Sequence, residues 1–138
     1  MTETFVLDSF AVLALLGREP GSQEVADVLR KAQAEEIRAM ITWVNVGEVA
    51  YIVERRWGLE RLYAVLAAME ATALEIVSVE RELSLMAAHI KAEHAIAYAD
   101  AFAAALAQRC AATLVTGDPE FKLLEGILDI HWLPQREP

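Results

Sequence analysis

The stretch RAMITWVNVGEVAYIVERRW, residues 38–57, predicts a strand that passes directly into a helix. Its first five residues favour a short strand that ends at Thr42, and threonine is a preferred N-cap. From Trp43 to Trp57 the pattern is helical, and Gly58 is placed to end that helix. A strand followed at once by a helix is the repeating unit of parallel α/β sheets.

The same order extends outward in both directions along the chain. Strands are predicted at Thr4–Leu7, Arg38–Thr42, Leu74–Val77, Thr113–Thr116 and Ile127–Leu133. Helices are predicted over residues 9–16, 22–34, 43–57, 59–70, 80–93 and 97–109, with a short one over 119–124. The sequence therefore predicts one domain over residues 1–138, a three-layer α/β/α fold with a mostly parallel sheet of four to five strands.

Composition limits the functions that this chain can have. Apolar residues make up 56% of it, above the roughly 45–50% of average globular chains, which suggests a partner: a second copy, giving a homodimer, or another protein. The net charge of −9 argues against nucleic-acid binding through a general positive field. A lone Cys110 fits a reducing cytoplasm. Because no secretion signal or long apolar segment is visible, we expect no membrane association.

Four acidic residues stand in or beside apolar runs: Asp8, Glu48, Asp100 and Asp118. Two follow predicted strands and two lie on helices, and right-handed crossovers can bring all four to the rim of the sheet where ligands gather. A buried, unpaired carboxylate costs several kcal/mol or becomes protonated, and two carboxylates ~5 Å apart repel by roughly 3 kcal/mol. A divalent metal with a preference for oxygen ligands, Mg²⁺ or Mn²⁺, would compensate all four.

Each of these acids also has an interpretation without a metal. Asp8 is suited to cap the first helix, and Asp118 before Pro119 is suited to cap the short one. Glu48 could be a helix-surface glutamate, although apolar residues surround it. Asp100 has the weakest alternative, because it interrupts an alanine-rich run that should be buried.

Several of these short patterns occur together in one known family. Asp8 after a strand, Asn45-x-x-Glu48, Asp100 within AYADAFA (97–103) and Thr116-Gly-Asp118 resemble the PIN-domain nucleases. The resemblance is greatest to the VapC-type toxin ribonucleases of bacterial and archaeal type II toxin–antitoxin operons, and it covers nearly the whole chain.

The resemblance implies a role for each of these residues. Asp8, Glu48, Asp100 and Asp118 match the acidic quartet of the family, and Asn45 and Thr116 match supporting polar positions. It further implies Mg²⁺- or Mn²⁺-dependent cleavage of single-stranded or loop RNA, and an antitoxin protein as partner.

Two other functions are also compatible with the sequence. A PIN-like fold could bind partners without catalysis. A receiver-type phosphoacceptor signalling domain also gathers carboxylates around Mg²⁺. The single acid at Asp8 argues against a receiver, which normally has paired acids there, as does His131 on a last strand where a lysine is usual.

Basic residues and histidines give weaker indications. Arg55, Arg56 and Arg61 form the only basic cluster, which is either a solvated helix end or a contact for RNA or a partner. Lys91 and Lys122 could pair with the acidic site or contact phosphate. The histidines have no spacing that predicts a zinc site.

Overall fold

Five strands and six α-helices alternate along residues 2–134, the part of the chain that the computed structural model describes. The strands are β1 Glu3–Leu7, β2 Ile37–Thr42, β3 Leu74–Val77, β4 Thr113–Thr116 and β5 Asp129–Trp132. The helices are α1 Ser9–Leu16, α2 Ser22–Gln33, α3 Trp43–Trp57, α4 Leu59–Ala71, α5 Arg81–Glu93 and α6 Tyr98–Arg109. Pro119–Leu124 forms a 3-10 helix. The predicted single domain of residues 1–138 extends beyond the described residues.

The boundaries agree with the predicted ones to within two residues, because local signals set most of them. Thr42 caps α3 by accepting a hydrogen bond from Asn45 N, and Gly58 with φ 91° ends that helix. The last strand starts at Asp129 rather than Ile127. The amides of Ile127 and Leu128 both donate to Leu124 O at 3.0 Å, so these residues belong to the preceding turn.

All five strands are parallel, in the order β3-β2-β1-β4-β5. The chain therefore builds the sheet outward from β1 in one direction and then returns to add β4 on its other side. The gap between the carboxyl ends of β1 and β4 is a topological switch point, where parallel α/β proteins bind ligands. Val6 pairs with Leu114 and Leu7 with Val115 across it.

Helices cover both faces of the sheet, and neighbouring strand residues point to opposite sides. Val6 and Leu114 pack into a core with α5 and α6, whereas Leu7 and Val115 pack into a second core with α1 to α4. Both cores consist of residues that are almost fully buried. The three-layer α/β/α prediction is confirmed, and the sheet is entirely rather than mostly parallel. No helix within residues 2–134 is long and apolar enough to cross a bilayer.

Candidate active site

The four acids singled out in the sequence meet in one pocket at the switch point. Asp8 directly follows β1, and Asp118 lies two residues beyond the end of β4. Glu48 projects from the second turn of α3, and Asp100 from the first turn of α6. All four line a pocket of about 280 Å³. Residues separated by up to 110 positions along the chain therefore share one site.

A fifth acid, Glu120, belongs to the same pocket and was missed by the sequence analysis. Asp100, Asp118 and Glu120 each offer a carboxylate oxygen, and these three atoms lie within 4.8 Å of one another. Among residues 2–134, Asp8 and Glu48 belong to no group that close. The signal available in the sequence was the Asp-Pro-Glu spacing of residues 118–120. Glu120 falls within the short helix predicted over residues 119–124, where an acidic side chain by itself indicates no site.

Glu120 is held in place by two backbone contacts. Its amide donates to Asp118 Oδ1 at 2.9 Å, so Asp118 caps the 3-10 helix as one alternative supposed. Its Oε1 accepts from Ala97 N at 2.9 Å, at the N-terminus of α6. The second contact ties the loop after β4 to the helix that carries Asp100.

Asp8 is buried, with 1% of its surface exposed, and both of its carboxylate oxygens are hydrogen-bonded. Oδ1 accepts from Ala11 N at 2.9 Å, which caps α1, and Oδ2 accepts from the hydroxyl of Thr116. Thr116 Oγ1 in turn accepts from Asp118 N at 3.0 Å. Thr116 therefore links two of the acids, although it does not itself line the pocket.

Asn45 also lies behind the site rather than in it, fully buried. Its Nδ2 donates to Ala99 O at 3.1 Å and approaches Ser9 Oγ at 3.5 Å, while its Oδ1 accepts from Thr42 Oγ1 at 2.6 Å. Ser9 lines the pocket and donates to Glu48 Oε1. This network orients Glu48 and joins α3 to the first turn of α6.

The electrostatics of the pocket favour protons or a cation. Burial raises the pKa of Asp8 to about 7, against the opposing hydrogen bonds from Thr116 and Ala11. Burial also raises the pKa of Asp100 to about 7, with further contributions from the negative charges of Asp118, Asp8, Glu48 and Glu120. Asp100 lies in the first turn of α6, where the helix dipole favours an anion, yet burial and repulsion outweigh that effect.

The donor set fits a divalent metal with oxygen ligands. Five carboxylates line the pocket, and none of its described lining residues is basic. Lys91 and Lys122 are not among them, and Lys91 Nζ instead donates to Ile96 O at 2.7 Å. Hard carboxylate oxygens are the ligands that Mg²⁺ and Mn²⁺ prefer. Within residues 2–134, Asp100, Asp118 and Glu120 bring their carboxylate oxygens close enough to share an ion, whereas the ligands expected from the sequence are Asp8, Glu48, Asp100 and Asp118.

The remaining candidates lie elsewhere. His89 pairs with Glu93 at 3.1 Å and His131 with Glu24 at 3.4 Å, outside the pocket. Arg55 stacks over the ring of Tyr51, with 5.1 Å from its Cζ to the ring centroid.

Comparisons with known proteins agree with this fold. The sequence profile of the PIN domain matches residues 5–127. No curated protein sequence matches the chain. Among solved structures, a chain of DNA-bound VapBC from Salmonella typhimurium is similar with a TM-score of 0.72 and 20% identity, over 95% of this chain and 98% of that one. VapBC2 from Rickettsia felis, bound to a promoter DNA fragment, is similar with a TM-score of 0.74 and 20% identity. The match covers 95% of this chain and 99% of that one.

A third similar structure is VapC20 from Mycobacterium tuberculosis, described as a Sarcin-Ricin loop cleaving toxin. It gives a TM-score of 0.66 at 18% identity, over 94% of this chain and 99% of that one. Because the profile match spans most of the sequence, this chain belongs to the PIN-domain family. The receiver alternative falls with that assignment, and the strand order 3-2-1-4-5 also differs from the 2-1-3-4-5 order of receiver folds.

Proposed function

We propose that this protein is a Mg²⁺- or Mn²⁺-dependent endoribonuclease, and that its catalytic residues are Asp8, Glu48, Asp100 and Asp118, joined by Glu120. The observation that carries the proposal is the convergence of five carboxylates at the switch point of a PIN fold. Such a cluster opposes folding unless something positive occupies it. A structural role alone would not require five acids in one pocket.

The residues divide the work by their positions. Asp100, Asp118 and Glu120 would hold the ion, with Asp8 beside them on the rigid end of β1. A bound divalent ion supplies Lewis acidity toward phosphoryl oxygens and lowers the pKa of a coordinated water. Glu48, oriented by the Ser9 hydroxyl, would accept a hydrogen bond from the attacking water and aim it at phosphorus.

This arrangement has a consequence for the products. Attack by water in line with the departing 3′ oxygen breaks the P–O3′ bond and leaves a 5′-phosphate and a 3′-hydroxyl. The 2′-hydroxyl takes no part as nucleophile, so 2′-O-methylation next to the cut should not abolish the chemistry. No lysine or histidine base is needed, and no described residue lining the pocket is either of these.

The proposal is tested by removing one charge at a time. Asp8→Asn and Asp100→Asn should each lower Mg²⁺- or Mn²⁺-dependent cleavage of a mixed-sequence RNA by about 100-fold or more, because each removes charge needed to hold the ion. Asparagine keeps the cap at position 8. The matched control is Asp129→Asn, which changes an exposed aspartate at the start of β5 and should cleave like the wild type.

Circular dichroism and urea denaturation check that the variants fold. Full activity in both folded asparagine variants would refute the assignment of the site. A wild-type protein that cuts no RNA with either ion would favour the alternative of a PIN fold that only binds partners.

We further propose that the ribonuclease is the toxin of a type II toxin–antitoxin pair, acting in the cytoplasm and bound by a cognate antitoxin. The similar solved structures, which include VapBC complexes, support this role. Exposed large apolar side chains support a protein partner and a homodimer: Trp43, Tyr51, Trp57, Leu59, Tyr63, Leu85, Tyr98, Leu123 and Ile127. Induced expression should arrest growth with the wild type and not with Asp100→Asn.

A further inference from the structure

A second pocket adjoins the acidic one along the groove between α1 and the end of α3. It has a volume of about 260 Å³ and is mostly apolar, with Phe10, Leu13, Pro20 and Arg56 among its lining residues. Phe10 and Leu13 also line the acidic pocket. The two pockets therefore adjoin, with Phe10 and Leu13 between them, and we call the second one the Phe10–Arg56 groove.

The ring of Phe10 stands at the junction of the two pockets and is held there by close packing. A Cβ atom on Gly117 would lie 2.4 Å from Phe10 Cε1 and 2.7 Å from Cζ. The ring thus rests against the backbone of the residue that precedes Asp118. This contact places a rigid aromatic side chain next to the acids at the entrance to the groove.

Arg56 supplies positive charge at the other end. It follows Glu48 and Ile52 at intervals of four residues, so the three lie along one face of α3, and Ile52 also lines the acidic pocket. Eight residues of helix span about 12 Å. Arg56 makes no ion pair with any residue of the described chain, unlike Arg30, Arg38, Arg81 and Arg109, which pair with carboxylates.

We infer that the Phe10–Arg56 groove binds the stretch of single-stranded RNA that flanks the cleaved bond, with Arg56 on a neighbouring phosphate and Phe10 against a base. The inference rests on the proposed nuclease function. A substrate whose phosphate enters the acidic pocket must leave it along an adjoining surface, and this groove shares two wall residues with that pocket.

Charge and shape both favour RNA as the occupant. In a chain of net charge −9, a phosphate needs a local cation, and Arg56, which has no carboxylate partner within residues 2–134, provides one. An aromatic ring stacks on any base, so the groove would contribute affinity with little sequence preference.

The test compares Arg56→Ala with the wild type on a 5′-fluorescein-labelled RNA pool of twelve random nucleotides in Mn²⁺. Loss of one phosphate contact should raise KM by about 5- to 10-fold and leave kcat within about twofold, because the groove binds substrate away from the reacting atoms. The negative slope of log affinity against log salt concentration should become shallower by about 0.7, as expected when one contact to a single-strand phosphate is lost. Arg56→Lys keeps the positive charge, so its KM should stay close to that of the wild type.

Arg55→Ala is the matched control, since it removes the same charge from the next position, where the side chain stacks on Tyr51 outside the groove. Equal effects of the two alanine variants would mean a diffuse basic field and would overturn the groove. A wild-type KM and salt dependence in Arg56→Ala would also overturn the groove. The proposed nuclease function would be unaffected by that result.

A binding measurement separates the groove from the chemistry. Fluorescence anisotropy of the same RNA pool should show weaker binding to the Asp100→Asn, Arg56→Ala double variant than to Asp100→Asn alone. If the wild type cleaves no RNA, the nuclease proposal fails. In that case, equal binding of RNA by the double variant and by Asp100→Asn alone would reject the groove as an RNA-binding surface. Weaker binding by the double variant would support it.

Discussion

Asp8 serves the fold and the candidate site with different atoms of one carboxylate. Its Oδ1 caps α1 through Ala11 N, and its Oδ2 accepts from Thr116 across the switch point. Asp8 is therefore a helix cap, and the same side chain lines the acidic pocket. Asp118 likewise has both positions. It caps the 3-10 helix, and one of its carboxylate oxygens lies within 4.8 Å of carboxylate oxygens of Asp100 and Glu120.

Gly117 packs directly against the Phe10 ring. Gly117→Ala should lower RNA cleavage by about 10-fold or more, because the new methyl group would lie well inside contact distance of the Phe10 ring and displace it from the junction of the two pockets. The backbone itself tolerates alanine there, since Gly117 is not among the residues with positive φ. Steady-state cleavage of the random RNA pool measures the effect.

The control is the same substitution made in a Phe10→Ala background. With the ring removed, Gly117→Ala should cost little more, so the two changes should be strongly non-additive. Additive losses would show that the methyl group disturbs Asp118 directly and that the ring is not involved.

Helix α3 carries Glu48 and is anchored by residues at its start. Thr42 caps it, and Asn45 joins it to α6 through Ala99 O. The helix boundaries were predictable because caps, glycines and apolar spacing act over a few residues. The role of Asn45 was predictable only as a family position, because its partners Ser9 and Ala99 lie 36 and 54 residues away.

Asn45→Ala should destabilise the protein by about 1–3 kcal/mol, because it leaves the buried Thr42 hydroxyl and Ala99 carbonyl without their partner. Cleavage should fall as well, since Glu48 loses part of the network that orients it. Urea denaturation gives the free energy of unfolding. Gln33→Ala, which removes an exposed amide at the end of α2, is the control and should stay within about 0.5 kcal/mol of wild type.

The acids of the pocket that would bind a metal also destabilise the folded protein when they are ionised. The pKa of Asp8 and that of Asp100 are both about 7 in the folded protein, against 3.8 as the ordinary value. A carboxyl with a raised folded pKa binds its proton more tightly in the native state. Its contribution to stability is therefore fully present below about pH 4 and is lost as the pH rises through 7.

With EDTA present, the melting temperature should drop by about 5 °C or more between pH 5.5 and pH 8. Mn²⁺ should reverse the trend, because deprotonated carboxylates bind the ion, so the stabilisation by Mn²⁺ should be much larger at pH 8. Thermal melts at the two pH values, with and without the ion, measure both effects.

Asp100→Asn should flatten the pH dependence in EDTA and weaken the response to Mn²⁺, since it removes one of the two titrating groups. Equal stabilisation by Mn²⁺ at both pH values in the wild type would contradict a metal site built from these acids.

Element order, the α/β class and the positions of four acids followed from the sequence, because caps, apolar periodicity and isolated charges are local signals. The strand order, the inclusion of Glu120 and the Phe10–Arg56 groove came only from the tertiary structure. Each of these depends on contacts between residues that are distant in the sequence. The hydrogen bond from Thr116 to Asp8, for example, joins residues 108 positions apart. The raised pKa values of Asp8 and Asp100 belong with them, because burial and mutual repulsion arise only once the chain has brought the acids together.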